Sequence, residues 1–87
     1  MSDVQFPQYR RYQNRKSWFC LLKPGVWVEV RVLGHRYSIQ EHHAQQYPEK
    51  VWFSEMLEGR EGVEAISRYE YDGFLLECTR SFTLTDF

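Results

Sequence analysis

The chain has 87 residues, 43% of them hydrophobic and 17% aromatic, with a net charge of −1. That length predicts one domain spanning 1–87, and a chain this short buries only about 60% of its unfolded surface, so its core has a thin margin. Aromatic richness near charge neutrality argues against intrinsic disorder, and a pI near 6.3 is far below the value above about 9 expected of a dedicated nucleic-acid-binding domain.

The opening residues, "MSDVQFPQY", lack the cationic and apolar regions of a secretory signal. No apolar stretch approaches the roughly 20 residues needed to cross a bilayer, so no membrane partner is expected. Cys20 and Cys78 sit in apolar surroundings, "FCLL" and "LECT". They form neither a CxxC motif nor a disulfide framework, and they predict two buried, reduced thiols in a cytoplasmic protein. Charge is unevenly divided. Residues 1–36 hold seven Lys and Arg against two acids, a net of +5, and residues 37–87 hold four against ten, a net of −6. Such a split marks either a basic binding face or a basic sheet attracted to its own acidic helices. The second is the simpler reading.

Residues 1–15 show no sustained periodicity, and Pro7 with "QYRRYQNR" predicts an N-terminal arm or loop ahead of a core at 16–87. This arm contains at most a short extended piece around Phe6 to Tyr12. "SWFCLL" then reads as a strand ending at "KPGV", where Pro24 and Gly25 have the chemistry of a type II turn. "VWVEVRVL" alternates strictly, with Val26, Val28, Val30 and Val32 on one face and Trp27, Glu29, Arg31 and Leu33 on the other. Gly34-His35 fits a two-residue hairpin turn with glycine first, and "RYSIQEHHA" continues the alternation.

"YPEKVWFSEMLEG" changes period. Pro48 suits a first helical position, Glu49 the positive helix start and Gly59 the terminus, predicting a helix over about 48–58. "GVEAI" predicts a short further strand. Ser67 and Glu70 have capping-box spacing, with Ile66 and Tyr71 placed as a hydrophobic staple. Tyr71, Phe74, Leu75, Cys78 and Phe82 then mark one face of a second helix, interrupted by Gly73. The expected fold is α+β: a three-stranded antiparallel meander plus a short fourth strand, with two helices packed on one face in the order β-β-β-α-β-α.

Chemistry-bearing motifs are few. His42 and His43 are adjacent on a strand and therefore point to opposite faces. No Cys/His set has zinc spacing, so neither metal nor cofactor is expected. There is no GxSxG, GxGxxG or GxxxxGK[ST] pattern, and the expectation is a non-enzymatic protein. Binding candidates are Arg10, Arg11, Arg15 and Lys16 of the basic arm, with Trp27 and Arg31 on the sheet face opposite the valines. An exposed Trp beside Arg resembles an interaction hot spot, which points to a protein partner or to self-association. Trp27 packed beneath the arm, against Phe6 or Tyr9, is the equal alternative. The second functional reading is single-stranded nucleic acid, bound by the same basic residues while Tyr9, Tyr12 and Trp18 stack on bases.

The segments "YRRYQNRKSWFCLL", "GHRYSIQEHHA" and "YPEKVWFSEML" resemble a set of small bacterial proteins of unknown function, over about residues 6–76. The resemblance implies a small bacterial cytosolic α+β protein and carries no activity with it. The "FTLTDF" tail lies outside it.

Overall fold

The computed structural model describes residues 4–85. In chain order these form β1 (Gln8–Tyr12), β2 (Ser17–Lys23), β3 (Val26–Leu33), β4 (Arg36–His43), α1 (Tyr47–Glu58), β5 (Val63–Ile66), α2 (Arg68–Ser81) and β6 (Thr83–Leu84). The architecture is α+β, as the changes of period predict. All strands join one sheet in the order β5-β1-β2-β3-β4-β6. Pairing is antiparallel except between β4 and β6.

The turn chemistry read from the sequence is realised. Gly25 has φ +76° in the β2–β3 turn. Gly34 has φ +62° in the β3–β4 turn, where His35 does not enter the left-handed region, as a glycine-first hairpin requires. Between Leu21 and Lys23 the β2–β3 register shifts by one residue, which turns Leu22 outward.

Three expectations are corrected. First, the short extended piece expected around Phe6 to Tyr12 is not part of an arm outside the core. Residues 8–12 form β1, inside the sheet between β5 and β2. Tyr9 and Arg11 point to one face while Arg10 and Tyr12 point to the other, so neither face of the segment looks apolar in sequence. Second, the tail contributes β6: Thr83 N–H donates to the His35 carbonyl and Thr85 N–H to the Tyr37 carbonyl, both at 2.8 Å.

Third, the helices cover opposite faces of the sheet. Trp18, Cys20, Val30 and Tyr37 pack with Tyr71 and Cys78 of α2, whereas Phe19, Leu21 and Trp27 pack with Phe53 and Met56 of α1. The cause lies in β2, whose residues Ser17 to Leu21 are all buried. A strand apolar on both sides needs a helix on each. Seen end on, the molecule has three layers, α1–sheet–α2.

Candidate functional site

The basic residues of β1 do not form a free cationic arm. Arg10 reaches the end of α1, where Nε donates to the Met56 carbonyl at 2.9 Å and Nη2 to the Leu57 carbonyl at 3.0 Å. α1 has no basic residue in its last turn, so a cation from the sheet neutralises the negative end of its dipole. Burial lowers the Arg10 pKa from its ordinary value. Arg11, on the other face, is only 9% exposed. It pairs with Glu64 at 2.6 Å, lies 3.9 Å from Glu70, and places its guanidinium 4.8 Å from the Trp18 ring centroid. The basic first half thus spends two of its charges on the acidic second half.

The stacking platform imagined for bases is likewise internal. Trp18 stacks on Phe74 at 3.8 Å, and Tyr9 lies 5.0 Å from Tyr71. Only Tyr12 of that trio faces the α1 side, where its ring meets Phe19 edge-on at 4.9 Å. Trp27 is buried, as one of the two alternatives had it, but not by the arm. It lies opposite the valines, as alternation requires, and is 7% exposed beneath α1. Its ring lies 4.7 Å from Trp52 and 5.9 Å from Phe53, and Phe6 packs against the same cluster by stacking on Phe53.

What the α1 side leaves open is a groove in two parts. The first is a cleft of about 360 Å³ between the strands and the start of α1. Tyr12, Phe19, Trp27 and Trp52 supply its rings, and Glu29, His42 and Glu49 its polar atoms. Glu29 Oε2 accepts from Ser17 Oγ at 3.2 Å. His42 stacks on Trp27 at 5.2 Å, and its Nε2 lies 3.3 Å from Glu29 Oε1. That approach is too misaligned for a hydrogen bond, leaving Nε2 buried and unsatisfied. Glu49 accepts from the backbone N–H groups of Gln46 and Gln45, which hold its carboxyl below the ordinary range.

The second part is a recess of about 420 Å³ lined by Tyr12, Asn14, Lys16, Ser17, Arg31, Val32 and Leu33, and Val32, which packs with the α2-side core, carries it past the α1 face alone. The β1–β2 turn shapes one wall. Arg15 takes φ +60°, and Asn14 Oδ1 accepts from Lys16 N–H at 2.8 Å. Lys16 and Arg31 are exposed, with no carboxylate of the described residues within ion-pair distance of either. Leu33 is 55% exposed beside them. Tyr12 lines both parts.

Of the sequence candidates, Lys16 and Arg31 therefore line one recess, while Trp27 lines the neighbouring cleft. Arg15 lies in the turn, and Arg10 and Arg11 are structural. Sequence reasoning did not assign Trp52, Glu29, His42 or Glu49 to a site. The alternation placing Trp27, Glu29 and Arg31 on one face was the available signal. Among the described residues, no group of three or more His, Cys, Asp or Glu gathers as metal ligands, and no helix is long and apolar enough to cross a membrane. Comparison with protein-family models, curated proteins and solved structures found no match.

Proposed function

We propose that this chain is a non-enzymatic binding module of the bacterial cytoplasm that docks a segment of another protein along the groove on its α1 face. One observation carries the reading: Tyr12 lines both an aromatic cleft and a neighbouring recess, and the recess holds two exposed cations without carboxylate partners among the described residues. Elsewhere the protein engages Arg10 and Arg11 internally. Cations left unpaired at a rim steer an acidic partner and set its register, while a buried aromatic pocket supplies affinity. Free, buried Cys20 and Cys78 favour a reducing compartment. Nucleic acid is the weaker partner, because only one of its proposed stacking rings reaches the groove.

A photo-crosslinking residue placed at Leu33, in the recess, is expected to trap a partner that the same residue at Leu76, exposed on α2, does not. Lys16→Glu with Arg31→Glu should weaken that capture by tenfold or more. Equal capture from both positions, or capture indifferent to charge reversal, would remove the groove from the interface. A crosslink from Leu33 joining two copies of the chain would make the partner the protein itself.

A further inference from the structure

The aromatic cleft has a chemistry opposite to its neighbouring recess. No Lys or Arg lines it, and its polar edge is made of Glu29, Glu49 and His42. Both backbone donors to Glu49 reach the same oxygen, Oε1. Glu29 Oε2 is taken by Ser17, while Oε1 lies 3.3 Å from His42 Nε2, off the axis of a hydrogen bond. Glu29 Oε1 therefore stands as an acceptor at the edge of a site walled by rings, open to a donor from outside.

The other face of the sheet shows what completes such a set. There a ring and a carboxylate, Trp18 and Glu64, are bridged by the guanidinium of Arg11, 4.8 Å from the ring centroid and 2.6 Å from the carboxylate. The α1-side cleft repeats the ring and the carboxylate, with His42 on Trp27 beside Glu29, but no Lys or Arg of the described residues lines it.

We propose that this cleft receives an arginine side chain of the protein partner. A guanidinium is planar, donor-only and weakly hydrated, so it suits stacking on Trp52 or Tyr12 while its fork donates to Glu29. At 360 Å³ the cleft lies at the small end of the roughly 300–1,000 Å³ of ligand pockets, a size suited to one side chain. The partner segment is thus bipolar, with arginine at the aromatic end of the groove and carboxylate at Lys16 and Arg31. This inference rests on the docking function proposed above, and it fixes the chemistry of the segment.

The test titrates the full chain with acetyl-arginine amide and, separately, with acetyl-citrulline amide, its uncharged isostere, at constant ionic strength. The readout is the three tryptophan indole N–H resonances. Trp18 is an internal control because its indole donates to the Arg15 carbonyl at 3.1 Å and its ring packs on α2. The arginine amide should shift the Trp27 and Trp52 signals saturably and leave Trp18 in place. The citrulline amide should bind about tenfold more weakly, and Glu29→Gln should erase most of that difference. Equal responses to the two amides, or none to either, would overturn the proposal, and neither result depends on a variant that folds. If the amide fails while Leu33 still traps a charge-dependent partner, the arginine assignment falls alone. If the amide binds but charge reversal leaves partner capture unchanged, the docking function falls instead.

Discussion

Arg10 and Arg11 are neighbours in the chain with opposite destinations, and the contrast shows what a strand does to a basic dipeptide. Arg10 ends a helix on one side of the sheet, and Arg11 closes a ring–carboxylate set on the other. The Arg11 pair is unevenly exposed, its side chain at 11% against 39% for Glu64. Removing the better-hydrated partner therefore leaves the worse orphan. Arg11→Met keeps an apolar stem over Trp18 and frees a carboxylate that water can reach, so its expected cost is about 1 kcal/mol. Glu64→Ala strands a buried guanidinium, partly relieved by Glu70 at 3.9 Å, and should cost more, about 2 kcal/mol. Urea unfolding of the two variants ranks them, and a larger loss for Arg11→Met would refute this account of the pair.

At the scale of elements, α2 was the most legible. Ser67 Oγ accepts from Glu70 N–H at 3.1 Å while the Glu70 carboxylate accepts from Ser67 N–H at 3.2 Å, completing the predicted capping box. The stripe from Tyr71 to Phe82 meets the sheet as its spacing requires. Gly73 interrupts that stripe, and a Cβ built there meets nothing within 4 Å. Gly73→Ala should therefore stabilise the protein by about 1 kcal/mol. For a domain of this size, that raises the Tm by about 4–8 °C in a calorimetric scan. A lowered Tm would show that the backbone at Gly73 serves a contact. β1 was the least legible element, because its partners are remote: Glu64 is 53 residues from Arg11, and Met56 is 46 from Arg10. No local pattern announces a strand whose polar side chains are satisfied that far along the chain.

For the whole molecule, the α2-side layer concentrates groups that resist ionisation. Burial pushes the Cys78 thiol up to about 11 and raises Cys20, Tyr9 and Tyr71 above their ordinary values. A thiol raised in the folded state stays protonated there, while the unfolded chain ionises near about 8.5. Its stabilisation is therefore complete below that pH and is lost as pH climbs toward the folded value. Thermal unfolding should give a Tm that falls from about pH 8.5 upward. Cys78→Ala should have a lower Tm at neutral pH but a shallower alkaline decline. An unchanged alkaline slope would refute the assignment to Cys78.

Local sequence determined what local physics can specify. Glycine and proline placed the turns, valine alternation placed β3, caps and spacing placed the helices, and two cysteines in apolar contexts went into the core. Tertiary structure decided the rest. "WFCLL" is apolar at every position, so periodicity does not say that it separates two cores, and that separation put α1 and α2 on opposite faces. The same choice buried Trp27, engaged Arg10 and Arg11, and brought Lys16 and Arg31 beside a ring-lined cleft whose other wall comes from α1. A binding groove is made of residues distant in sequence, and only the packing of a helix over part of a sheet face determines which of them remain open.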